Sequence, residues 1–105
     1  MAERVNQKEF EAKVLASSKP VVVEFYSDSC IPCKQLSPIL GNLEDLYEGR
    51  LKVVKVNVNF DVELAEKYEV MASPTLIFFK AGNEVNRLHG LVKEDVLKSE
   101  TEKLW

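Results

Sequence analysis

The sequence predicts an α/β fold, a central mixed β-sheet flanked by helices on both faces. Three observations carry this reading. Val21-Val22-Val23-Glu24-Phe25-Tyr26 is a near-continuous β-branched and aromatic run, the pattern of a strand buried on both faces at the centre of a parallel sheet. A helical stripe follows it and leads into a second strand-like run, Leu51–Val58, so the first two strands enclose a right-handed crossover. Near the C-terminus, Thr75–Phe79 and Glu84–Leu88 flank the tight turn Ala81-Gly82-Asn83, which adds an antiparallel hairpin.

The elements justify themselves in order. Asn6-Gln7-Lys8-Glu9 reads as a capping box, with Val5 and Phe10 placed for a hydrophobic staple. Phe10, Val14 and Leu15 recur at helical spacing, which predicts a helix over Gln7–Ser17 that Lys19-Pro20 breaks. After the first strand, Ser27–Ile31 is a loop. From Cys33 onward the chain is helical, with Leu36, Ile39, Leu40, Leu43, Leu46 and Tyr47 as its apolar stripe. Pro38 lies inside this helix and is expected to kink it, and Gly49 to end it. Asn59 or Asp61 can cap a short helix carrying Leu64, Ala65 and Tyr68. Gly90 interrupts the chain, and Lys93–Leu104 is a closing helix with Val96, Leu97 and Leu104 inward.

At 105 residues the chain has single-domain length, so 1–105 is read as one domain. Its 46% hydrophobic and 30% charged residues argue against disorder. The net charge of −3 leaves no electrostatic footprint for nucleic acid or an anionic membrane. Apolar runs such as Val21–Val23 and Leu76–Phe79 are too short to span a bilayer. The polar start Met1-Ala2-Glu3-Arg4 shows no signal peptide, which makes the cytoplasm the expected location.

The chain has 2 cysteines, at positions 30 and 33. A lone Cys-x-x-Cys in a reducing compartment points to catalysis or metal binding before a structural disulfide. Its setting, Ser29-Cys30-Ile31-Pro32-Cys33-Lys34 between a buried strand and a helix, favours redox chemistry. Cys30 falls where unpaired N–H groups and the positive end of the helix dipole stabilise a thiolate. Cys33 follows one turn later, and Pro32 stiffens that turn. Three other readings compete. A closed zinc site needs about four ligands, so two cysteines and His89 would require a dimer. Haem attachment needs a histidine where Lys34 stands. Two inert core cysteines remain conceivable, although a strand–loop–helix junction hides them poorly. Glu24 interrupts a strand otherwise built for burial, where a carboxylate tends to a raised pKa; the alternative is a strand-end residue facing solvent. For Lys55, a partner of that carboxylate and a solvated strand residue stand level.

Nearly the whole chain resembles the thioredoxin family. The resemblance rests on Val23–Lys34, the Pro38 position, Val54–Asn57, Ser73–Leu76, Phe78–Gly82 and Gly90, in the family's order and spacing. It implies the thioredoxin fold and a protein-disulfide reductase acting by dithiol–disulfide exchange in cell redox homeostasis. By that resemblance Cys30 is the exposed nucleophile and Cys33 the buried resolving thiol. Glu24 takes the place of a buried aspartate that relays a proton, and Lys55 that of a lysine near it. Pro74 matches a cis-proline facing the cysteines, with the Ser73 backbone pairing to extended substrate. Gly90 keeps the substrate groove open, and Ile31 and Pro32 border it. No metal or other cofactor is implied beyond the Cys30–Cys33 pair. The implied partners are disulfide-containing client proteins and a thioredoxin reductase, NADPH- or ferredoxin-linked. A monomer is expected.

Three positions depart from the family's usual pattern. Ser29 replaces a tryptophan, Ile31 a glycine and Glu24 an aspartate, which bears on reduction potential and client choice. Two other functions remain open at this point: a disulfide oxidase or isomerase, and a binding module that uses the groove without redox turnover.

Overall fold

A computed structural model describes residues 2–105; Met1, the first residue of the polar start, lies outside the described residues. In chain order the elements are β1 (Glu3–Arg4), a π-helical turn (Glu11–Leu15), β2 (Val21–Tyr26), α1 (Ile31–Leu46), β3 (Lys52–Asn57), α2 (Val62–Lys67), β4 (Thr75–Lys80), β5 (Asn83–His89) and α3 (Glu94–Glu102). The strands form one mixed sheet in the order β1-β3-β2-β4-β5. Strands β1, β3 and β2 are parallel, whereas β4 and β5 run antiparallel to their neighbours.

The alternation of β2 divides the core in two. Val21, Val23 and Phe25 face a cluster with Phe10, Val14, Val54, Val56, Leu64, Ile77 and Phe79. Val22 faces the opposite cluster, built with Leu36, Leu40, Leu43, Val53, Leu76, Phe78 and Leu97. Both faces of β2 are therefore buried, as its unbroken apolar composition requires. Glu24 is the exception on the α1 face, where it pairs in register with Leu76 of β4 and Lys55 of β3.

Four expectations change. The first predicted helix survives only as the wide turn Glu11–Leu15, closed by Ala16 N–H donating to the Glu11 carbonyl at 2.8 Å. Its capping box is present all the same: Glu9 N–H donates to Asn6 Oδ1 at 3.0 Å and Asn6 N–H to Glu9 Oε1 at 3.1 Å. Strand β1 was absent from the predicted order, because its two exposed residues carry no apolar signal; it pairs with β3 through the backbone, with Glu3 ion-paired to Lys13 and the Arg4 guanidinium over the Phe60 ring. Leu46 and Val96 point outward, 55% and 40% exposed, since each lies at the margin of its helix's apolar stripe. Asp61 occupies the N-cap of α2, but its carboxylate accepts from Gln7 N–H at 3.2 Å instead of capping the helix. No helix among the described residues is long and apolar enough to cross a membrane.

The hairpin turn is a two-residue connection with φ of +52° at Ala81 and +82° at Gly82, the type I′ signature. A Cβ on Gly82 would stand 2.9 Å from the Leu15 carbonyl oxygen, so glycine is required there twice over. Beyond the turn, Phe78 pairs with Asn86 and Phe79 with Glu84, which leaves Val85 as a bulge in the edge strand. Ala81 is a β-carbon residue in a left-handed conformation that asparagine tolerates better. Ala81→Asn is expected to raise stability by about 0.5–1 kcal/mol, read as a higher denaturant midpoint at unchanged m-value.

Candidate active site

The end of the sheet where β2 and β3 finish and β4 begins carries the predicted site. The antiparallel register sets Phe25 beside Thr75 and Thr75 beside His89. The loop after β2, the segment before β4 and the exit of β5 are therefore neighbours. Ser73–Pro74 is a cis peptide in that segment. Gly90 N–H donates to the Pro74 carbonyl at 2.9 Å, which ties the two predicted groove residues together. Gly90 has φ of +79°, a backbone conformation that favours glycine, and an added Cβ would meet no atom of the chain within 4 Å.

Cys30 is the N-cap of α1, in an extended conformation, and Pro32 sits in the first turn. The two cysteines form a disulfide. Cys33 N–H donates to Cys30 Sγ at 3.1 Å, so one of the orphan donors of the helix start points at the first sulfur. A negative charge forming there on reduction meets that N–H and the positive end of a 16-residue helix. Cys30 is 9% exposed and Cys33 5%, a smaller contrast than the resemblance implied. Beside them, Ile31 stands 68% exposed, Pro32 is exposed, Ser73 half-buried and Pro74 buried.

A cleft of ≈ 190 Å³ brings together Glu24, Cys33, Lys34, Ser37 and Lys55. Glu24 is buried, and its Oε2 has no hydrogen-bond partner among the described residues. Burial pushes its carboxyl up to about 7, against the opposing pull of the Lys55 ammonium. The solvent-facing alternative for Glu24 is thereby excluded. Lys55 is half-buried beside it in register, with its ammonium 5.5 Å from the centre of the Tyr26 ring.

A polar brace under the cysteine loop escaped the sequence reading. Asn57 Nδ2 donates to Asp28 Oδ1 at 2.7 Å, and Asp28 N–H donates to Asn59 Oδ1 at 3.0 Å. Asn57 Oδ1 also accepts from the N–H groups of Asn59 and Phe60. These contacts fix the loop before Cys30 to the end of β3. Met71 and Leu91, close in sequence to Pro74 and Gly90, are 92% and 48% exposed. His89 is exposed at the end of β5, its Nδ1 3.4 Å from the Thr75 hydroxyl, which itself donates to the Ala72 carbonyl at 2.7 Å. Among the described residues, no three His, Cys, Asp or Glu side chains are placed to hold a metal ion.

Glu24 makes stability depend on pH. Its ordinary carboxyl value is 4.5, and in the folded protein it is about 7. Between these values the unfolded chain has released a proton that the folded protein retains, so this group's contribution to stability falls as pH rises through that window. The whole loss amounts to about 3 kcal/mol. Glu24→Gln removes it. The oxidised variant is expected to match the parent near pH 4 and to exceed it by up to about 3 kcal/mol at pH 8, measured by denaturant unfolding at both pH values. An identical pH slope in the two proteins would contradict this assignment.

Comparison with known proteins agrees with the geometry. The thioredoxin family model matches residues 1–103. Thioredoxin 1 of Nostoc sp. is 36% identical over 102 residues, covering 97% of this chain and 95% of the relative. Thioredoxin of Synechocystis sp. is 36% identical, covering 95% of this chain and 94% of its own length. Thioredoxin of Acidithiobacillus ferridurans is 41% identical, with 85% and 83% covered. With a disulfide at a helix N-terminus, a buried carboxylate behind it and this likeness along almost its full length, the chain belongs to the thioredoxin family of thiol–disulfide oxidoreductases.

Proposed function

We propose that the protein is a cytoplasmic reductant of protein disulfides, acting as a single domain and as a monomer. The observation that carries this reading is the Cys30–Cys33 pair at the N-cap of α1, with the Cys33 N–H directed at Cys30 Sγ. In the reduced protein, the Cys30 thiolate attacks one sulfur of a client disulfide. A mixed disulfide forms and the first client thiolate leaves. Cys33 then gives its proton to the Glu24 carboxylate, and the resulting thiolate attacks Cys30 Sγ. The Cys30–Cys33 bond forms and the second client thiolate departs; the client is reduced by two electrons and the dithiol is oxidised. A carboxyl that titrates at about 7 is suited to take and return a proton at neutral pH. Lys55 keeps its charged form accessible. Ile31, Pro32, Ser73, Pro74 and Gly90 border the groove that receives the client chain, with the Ser73 backbone pairing to an extended segment. A thioredoxin reductase, NADPH- or ferredoxin-linked, returns the pair to the dithiol.

The exposed Ile31 beside the disulfide favours a second reading, an oxidase or isomerase, because the residues between the cysteines tune the exchange equilibrium. Equilibrium titration against a dithiol buffer separates the two. A potential near about −270 mV marks a reductant, and one of about −200 mV or higher an oxidant or isomerase. Cys33→Ser is expected to trap client proteins as mixed disulfides on Cys30, visible as adducts that dissolve on adding dithiol. A variant that captures nothing, together with the absence of a reversible two-electron step in the parent, would leave only a binding role.

A further inference from the structure

The backbone before β4 is tied down on both sides of Ser73. The Thr75 hydroxyl donates to the Ala72 carbonyl at 2.7 Å. Gly90 N–H donates to the Pro74 carbonyl at 2.9 Å, and Pro74 has no N–H of its own. Neither backbone group of Ser73 takes part in a hydrogen bond within the protein among the described residues. The carbonyls before and after Ser73 are therefore occupied, while its own donor and acceptor stay open to an incoming chain.

Thr75 is a rigid anchor for this arrangement. It is the first residue of β4, fully buried, and flanked in register by Phe25 of β2 and His89 of β5. His89 Nδ1 lies 3.4 Å from its hydroxyl. The hydroxyl has one proton and gives it to Ala72, so towards the imidazole it can only accept. That requires neutral His89 to carry its proton on Nδ1. A chain of two hydrogen bonds then runs from the end of β5 through β4 to the loop.

We infer that Thr75 is a positioning residue for client binding: its hydroxyl, oriented by His89, holds the Ala72 carbonyl so that Ser73 presents N–H and C=O together to one extended client strand. The inference rests on the Ser73 pairing proposed above. The ligand it implies is extended peptide backbone, recognised through main-chain hydrogen bonds that are indifferent to client side chains. Ala72 is exposed, so without the hydroxyl its carbonyl is left to water. The peptide planes beside Ser73 then regain freedom that client binding has to remove.

The test uses the full chain in its dithiol form, as parent, Thr75→Val and Thr75→Ser. Each is mixed with three disulfides: an extended disulfide-bonded peptide, the same peptide N-methylated at its cysteine and both neighbours, and a small aryl disulfide without peptide backbone. Thr75→Val keeps the branched shape and removes the hydroxyl. It is expected to reduce the peptide about tenfold more slowly than the parent and the aryl disulfide at the parent's rate. Thr75→Ser is expected to restore the peptide rate. N-methylation is expected to slow the parent by a similar factor and Thr75→Val far less, since the pairing is already weakened there. A second readout needs no turnover: the ring-nitrogen NMR shifts of His89, the single histidine, are expected to show the Nδ1–H tautomer in the parent and to lose it in Thr75→Val.

A parent indifferent to N-methylation refutes the Ser73 pairing, and the inference falls with it. A parent that discriminates, beside a Thr75→Val variant with the full peptide rate, overturns the role of Thr75 alone. Equal slowing of the aryl disulfide in Thr75→Val marks general damage to the site and also overturns positioning. An Nε2–H tautomer in the parent overturns the direction of the Thr75 hydroxyl. A parent that reduces none of the three refutes the reductase reading; peptide binding to the oxidised protein then decides, and Thr75→Val binding as tightly as the parent overturns the inference.

Discussion

Strand β2 is hydrogen-bonded along both edges, to β3 and to β4, and covered on both faces by apolar clusters. Every other part of the molecule is placed by reference to it. Its C-terminal end fixes where the chain leaves the sheet, and the Asp28–Asn57–Asn59 brace holds that exit. Helix α1 must then start at Cys30, because its apolar row Leu36, Leu40 and Leu43 has to land on Val22, Leu76 and Phe78. The position of Cys33 follows from core packing farther along the same helix face. A buried strand of this kind has very little freedom to move, so the nucleophile is held by the most constrained element available.

Glu24 is the cost of that arrangement. An apolar residue at this point would extend the α1-side cluster towards the cysteines. A carboxyl there is desolvated, has one oxygen without a protein partner and titrates near neutrality. Such a residue opposes folding at high pH, and it is also the kind of group that exchanges protons under physiological conditions. The same physical property, poor solvation of the charged form, underlies both effects.

Much of this was legible in the sequence. The unbroken run of β2 announced its burial on both faces, and the interruption by Glu24 was visible as an anomaly within it. The placement of Cys30 at a helix start followed from the strand–loop–helix pattern. Other features lacked a local signal. Five residues are too few for periodicity to separate an ordinary helix from the wider turn at Glu11–Leu15. Strand β1 is held by main-chain hydrogen bonds, to which side-chain patterning is blind. The Asp28–Asn57–Asn59 brace joins residues 29 and 31 positions apart, and polar pairs of that range leave no trace in a single sequence.

The margins of the sheet have a consequence of their own. One margin is β1, only two residues long. The other is β5, distorted by the bulge at Val85 and armed with the Glu84–Arg87 fork, whose two contacts are each 2.8 Å. Neither offers the long, flat, uncharged ladder on which a foreign strand can be templated. A protein whose clients are chains with accessible disulfides meets unfolded and extended polypeptide as routine. Blunted margins confine such chains to the sulfur-bearing end of the sheet, and they keep repeated encounters from seeding co-aggregation of carrier and client.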